Sequence, residues 1–136
     1  MKKENATPDF VALEKQMLKF WEDNKCFEKL VEQNKNNEPF RFLDGPITAN
    51  NPMGVHHAWG RTLKDVNIRY HAMHGKSCQY RNGFDSQGLW VEVETEKEAG
   101  IKDKRGIEEY GLDKFTEACM QRVKHFSDII TKQSKR

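Results

Sequence analysis

Two adjacent histidines and one aspartate are the residues of this chain best placed to do chemistry. His56 and His57 stand where a predicted helix begins, directly behind a turn-rich loop containing Thr48, Asn50, Asn51 and Pro52. A helix N-terminus attracts anions, because unpaired backbone N–H groups and the helix dipole both favour negative charge there. Imidazoles at that place are disfavoured as cations and suited to giving one neutral N–H to a phosphate oxygen; otherwise they are an incidental structural pair. Asp85 stands just beyond a predicted strand, where open α/β sheets tend to bind ligands. Its carboxylate can balance an ammonium group, such as the α-amino group of an amino acid, or it caps the helix that follows.

Positioning these residues falls to a short run of elements. Phe40–Leu43 reads as an apolar strand, broken by Asp44-Gly45-Pro46, and the loop from Ile47 to Met53 follows. From about Val55 a helix is predicted, with Trp59, Leu63, Val66, Tyr70 and Met73 spaced for one apolar face. Gly75 suits the left-handed residue that ends a helix, and Ser77–Arg81 is a second strand leading to Gly83-Phe84-Asp85. Strand, loop, helix and strand predict a βαβ unit with a small parallel sheet.

The flanks are predicted to be mostly helical. Residues 1–7 are a polar leader, and a helix runs from Pro8 and Asp9 to about Asn24. Its Phe10, Leu13, Met17, Phe20 and Trp21 are expected in the core. Cys26, Phe27 and Leu30 suggest a further turn or short helix, and 32–39 is a polar loop. Beyond Asp85, residues 89–99 alternate weakly like a strand but are helix-prone, with Gly100 as a C-cap, and are taken as helix. Trp90 fits a pocket wall or core. Lys102–Arg105 reads as a charged loop, Ile107–Tyr110 as a turn closed by Gly111, and Asp113 as the cap of a long last helix. Phe115, Cys119, Val123, Phe126 and Ile130 form its buried stripe.

Composition narrows the class. The 136 residues are about one domain's worth of chain, 36% hydrophobic and 32% charged, so the expected core is modest. A net charge of +2 is too small to argue for nucleic acid by itself. Cys26, Cys78 and Cys119 form no metal-like spacing and fit buried reduced thiols in a cytoplasmic protein. No apolar run approaches the ~20 residues of a membrane span, and Lys2-Lys3 lacks an apolar stretch behind it, so neither membrane insertion nor export is expected.

Three blocks within Phe40–Trp90 resemble the catalytic region of class I aminoacyl-tRNA synthetases of the isoleucine type. They are Asp44-Gly45-Pro46 with Thr48-Ala49-Asn50, then Arg61-Thr62-Leu63-Lys64-Asp65, then Gly83 to Leu89 followed by Val91-Glu92. The likeness extends over nearly the whole chain. It implies an α/β, Rossmann-like half-domain: residues 1–39 as an N-terminal helical leader, 40–136 as the first half of the nucleotide-binding catalytic domain. The family's His-x-Gly-His signature falls on Gly54-Val55-His56-His57, so only His57 stands in place. The first histidine is Gly54, and the glycine that leaves room for adenine in the family is His56. Cysteine and histidine are usual where Ser86 and Gln87 stand, and proline where Trp90 stands.

What the resemblance implies for function is ATP-dependent activation of isoleucine, followed by transfer to tRNA. His57, with His56 beside it, would be the catalytic pair. Thr48, Asn50, Gly54, His56 and His57 would hold ATP with its Mg2+. Gly45, Pro46, Asp85 and Gln87 would hold the amino acid, and no resident metal is expected. The lysine-rich phosphate loop of the family's second half does not occur in these 136 residues. The chain is therefore expected to be weak or inactive alone and to self-associate or pair with a complementary chain. A non-enzymatic nucleotide- or partner-binding module is the alternative, and unrelated nucleotide chemistry on the same fold is a third reading.

Overall fold

The computed structural model describes residues 7–136, so the polar leader expected at 1–7 lies outside the described residues apart from Thr7. Helix α1 (Phe10–Asp23) begins where the Asp9 carboxylate accepts the Ala12 N–H at 3.0 Å. Asp9 is thus the cap, and Pro8 precedes the helix instead of opening its first turn. Lys25, with φ 50, turns the chain into α2 (Cys26–Asn34). This helix takes up the first part of the polar loop expected at 32–39.

Next come β1 (Pro39–Leu43), β2 (Ile47–Thr48), α3 (Val55–Met73), β3 (Ser77–Arg81) and β4 (Phe84–Asp85). Strands β1 and β3 pair in parallel, from Pro39 opposite Ser77 to Leu43 opposite Arg81, as the sequence predicts. A second parallel pair, β2 with β4, was not foreseen, since two-residue strands carry no readable alternation. Ahead of the first pair, the Asn34 and Asn37 side chains donate to the carbonyls of Ala72 (3.0 Å) and Gly75 (2.7 Å). Gly75 closes α3 at φ +80, a conformation glycine adopts without a Cβ penalty.

The apolar stripe of α3 points away from the strands. Trp59 is 68% exposed and Met73 78%, and Leu63, Val66 and Tyr70 are exposed too. The opposite, mixed face meets the sheet. There His71 stacks on Phe40 with ring centroids 3.8 Å apart, and the Cys78 thiol donates to the Ile68 carbonyl at 3.5 Å. Lys64 on the same face pairs with Asp44. Periodicity reports that a stripe is apolar, not which surface covers it. The stripe of α1 is likewise exposed, Phe10 at 71%, against the expectation of core packing.

The core lies instead among α4 (Leu89–Ala99), α5 (Lys104–Tyr110) and α6 (Leu112–Lys135). Val91, Thr95, Ile107, Phe115, Arg122 and Ile130 are buried there, and Ala49 is buried just past β2. The predicted α6 stripe holds, with Cys119, Val123 and Phe126 half-buried between Phe115 and Ile130. Its cap is Gly111, while Asp113 sits in the first turn, where its charge suits the dipole. The charged loop and turn expected at 102–110 are largely one helix, α5, because the Asp103 carboxylate accepts the Gly106 N–H at 2.9 Å and caps it. Trp90 is exposed and belongs to no core. The three cysteines are free and half-buried, not fully buried. No helix of the described chain is long and apolar enough to cross a membrane.

Gly60 lies inside α3, and a Cβ there would meet open space. Gly60→Ala is expected to raise stability by about 0.5–1 kcal/mol, since alanine loses less backbone freedom on entering a helix. An unchanged urea midpoint would refute this.

Candidate active site at the start of helix α3

The β2–β4 pairing joins the two segments to which the sequence assigned different ligands. Thr48 stands opposite Asp85 in the register, and the Ala49 N–H donates to the Asp85 carbonyl at 3.3 Å. Gly45 and Pro46 are exposed in the link just before Ile47, which is itself opposite Phe84. Asp85 is exposed, and its Oδ1 accepts the Gln87 N–H at 3.1 Å. It does not cap α4: Gly88 holds that position with no side-chain bond. Oδ2 of Asp85 has no hydrogen-bond partner among the described residues, and neither has the exposed Gln87 side chain.

Around the histidines the geometry is local and specific. Gly54 is the N-cap of α3, and its N–H donates to Nδ1 of His57 at 3.2 Å. A ring nitrogen that accepts carries no proton, so the His57 proton sits on Nε2. Burial, with the neighbouring His56 and Arg61 behind it, pushes the His57 pKa down and keeps this ring neutral. His56 is exposed, its ring centroid 3.8 Å from that of His57. A Cβ added at Gly54 would stand 3.0 Å from Cε1 and 3.1 Å from Nδ1 of His56. Glycine at 54 and histidine at 56 are therefore sterically linked: the ring takes the space that a side chain at 54 would need. The Val55 and His56 N–H groups, at the open end of the helix, have no acceptor among the described residues.

Between α3 and the strands lies a charged group that the sequence did not reveal. The buried Asp44 carboxylate accepts from the Lys64 ammonium and from the Tyr80 hydroxyl, the latter at 2.6 Å. Burial alone would push the Asp44 pKa up; Lys64, Tyr80 and Arg61 outweigh it and hold it below the ordinary aspartate value. Burial and the Asp44 charge push the Tyr80 pKa up to about 12. Arg61 keeps Nε and Nη2 buried without a partner. Lys64 is thus paired with Asp44, while the Arg61 charge is felt at both Asp44 and His57. Sequence spacing shows Asp44 only as a strand breaker, since its partners lie 20 and 36 residues away. A concavity of about 510 Å³ at Ile101, Asp103, Arg105 and Tyr110 contains none of these residues.

Parallel strand pairs with a helix crossing between them define an α/β protein. The family described as tRNA synthetases class I (I, L, M and V) matches residues 16–136, and the chain belongs to it. The isoleucine–tRNA ligase of Thermus thermophilus is 43% identical over 123 residues, covering 90% of this chain and 12% of that protein. That of Wolbachia pipientis is 41% identical over 122 residues, covering 90% and 11%, and that of Thermobifida fusca 39% over 128, covering 94% and 12%. The chain thus spans about 12% of the length of these curated relatives.

Proposed function

We propose that this chain carries the amino-acid-activation site of an isoleucine–tRNA ligase, with ATP and isoleucine as substrates and tRNA as the later acceptor. The pairing of Thr48 with Asp85 is the observation that carries the reading, since it sets the nucleotide loop beside an uncommitted carboxylate oxygen. In the reaction, a carboxylate oxygen of isoleucine attacks the α-phosphorus of ATP. One phosphorus–oxygen bond forms as the bond to the departing pyrophosphate breaks. His57 gives its Nε2–H to a phosphate oxygen, and His56 lies alongside it. The open N–H groups of α3 and the Arg61 charge favour the same anion. Thr48, Asn50 and Gly54 line the nucleotide side; Gly45, Pro46, Asp85 and Gln87 line the amino-acid side. The donors fit a polyphosphate, and Mg2+ would arrive with the nucleotide as its counter-ion. In this reading, residues 1–39 are a helical leader and 40–136 a Rossmann-like half-domain, with β1 opening the second part. Unpaired thiols suit a reducing, cytoplasmic compartment.

Asp85→Asn keeps the shape and removes the charge that would face the α-ammonium group. Loss of that charge-assisted contact is expected to weaken isoleucine binding by about 1.5–3 kcal/mol, roughly 10- to 150-fold. Isoleucine titration into the chain, paired with isoleucine-dependent pyrophosphate exchange, tests it. Unchanged affinity with exchange intact would remove Asp85 from the site.

The exposed stripes of α1 and α3 favour a second reading, a module that binds nucleotide and docks on a partner or a second copy without catalysis. ATP binding with no exchange for any amino acid would select it.

A further inference from the structure

Residues 50–53, between β2 and the cap of α3, make no backbone–backbone hydrogen bond among the described residues. Two side chains of α6 hold them instead. Nη2 of Arg122 donates to the Asn50 carbonyl at 2.7 Å and to Oδ1 of Asn51 at 3.1 Å. Oε1 of Gln133 accepts the Met53 N–H at 2.9 Å. The Arg122 guanidinium is buried, packs 4.8 Å over the Phe126 ring, and bonds Glu98 through Nη1, with Glu94 at 3.8 Å. Both carboxylates stand on α4, the helix that begins four residues after Asp85. One planar fork therefore spans the nucleotide loop and the helix behind the amino-acid residue, a geometry a lysine point charge cannot reproduce.

We propose that Arg122 is a positioning residue that sets the shape of the 50–53 loop and, through it, the affinity for a nucleoside triphosphate. The triphosphate rests on the reading of this loop as nucleotide-binding; the positioning does not. Without the fork, Asn50 and Asn51 lose their tether and the loop samples other shapes. The fork also makes the α4 carboxylates part of the same arrangement, so that the loop and the Asp85 side of the site hold one relative geometry.

The test titrates ATP with Mg2+ into the chain and into Arg122→Met, Arg122→Lys and Asn51→Ala. Amide hydrogen exchange and amide resonances of Asn50–Met53 are followed alongside. Arg122→Met is expected to weaken ATP by about 10-fold, as when the competent loop falls to about a tenth of the population. Arg122→Lys should recover part of that loss, and the Asn50 and Asn51 resonances should shift. Exchange should quicken at Met53, whose N–H is the bonded one, while amides of α4 and α6 stay protected. Equal ATP affinity in the chain and a folded Arg122→Met overturns the proposal. If Arg122→Met does not fold, Asn51→Ala and Arg122→Lys decide, and unchanged affinity and exchange in both overturn it. If the unaltered chain binds no ATP, the nucleotide reading fails and the loop amides alone decide. Shifted Asn50 and Asn51 resonances with quickening at Met53 alone then support Arg122 as the tether, and unchanged resonances and exchange overturn it.

Discussion

Restoring the family order of the histidine signature, by Gly54→His together with His56→Gly, is expected to raise isoleucine-dependent pyrophosphate exchange by about 10²-fold. The starting rate should be low, because Gly54 offers no side-chain donor to the charge that develops at the α-phosphate. A preorganised donor there acts mainly on the transition state, so the gain belongs in kcat more than in KM. The two changes should not be additive. Gly54→His alone puts its Cβ 3.0 Å from the His56 ring, which must swing aside before the new imidazole can settle. His56→Gly alone clears the space but supplies no donor. Comparing the four forms in one exchange assay gives the coupling between the sites. A double variant no faster than the starting chain would sink the assignment of this helix start as the phosphate site.

The largest effect on stability is expected at Asp44. Asp44→Ala removes a buried carboxylate from Lys64 and Tyr80 and should cost about 2–3 kcal/mol. The figure stays below that for a fully buried pair because Lys64 keeps 37% of its side chain exposed. The same group predicts a pH profile with two arms. Asp44 binds its proton more weakly folded than unfolded, so its contribution is complete above the ordinary value of 3.8 and is lost as pH falls through the lower folded value. Tyr80 binds its proton more tightly folded, so its contribution is complete below 10.0 and is lost as pH rises towards about 12. Urea midpoints between pH 3 and 11 should show both arms. His57 adds a fall below 6.5, because its proton is bound more weakly in the folded chain, and half-buried Cys78 adds to the loss above 9.0. Tyr80→Phe should shrink the alkaline arm to the part owed to Cys78 while leaving an acid arm. An alkaline arm of full size in that variant would contradict the assignment.

Local sequence carried the elements whose causes are local. The ends of β3, the left-handed Gly75 and the stripe of α6 follow from strand propensity, glycine's freedom and helical spacing, and the structure has all three. What depended on distant partners was not legible. Trp59 and Phe10 are apolar at helical spacing, yet the mixed face of α3 carries the sheet contact because His71 and Ile68 find partners on β1 and β3, and Lys64 finds Asp44 just past β1. The α5 cap was missed because Asp103 sits in a charged run that reads as loop until its carboxylate is seen on Gly106. In the candidate site, His57 and Asp85 could be picked by type and position. Their relation through β2–β4 could not, nor could Arg122, an ordinary helix residue until its guanidinium is found 71 and 72 residues away on the loop.

The contacts that align β1 with β3 share one sequence separation. Asn34 reaches Ala72, Asn37 reaches Gly75 and Glu38 reaches Lys76, each 38 residues on, and the strand register continues at the same offset. Closing a loop of that length costs about 3 kcal/mol of chain entropy, and the cost falls on the first contact alone. Every later one adds a bond without closing a new loop, so this half of the chain assembles by one slow closure and a fast zippering behind it. The 19 residues of α3 span roughly 28 Å as a rod, which shortens the flexible part of the search. The speed of folding in this region is thus governed by how early α3 becomes helical.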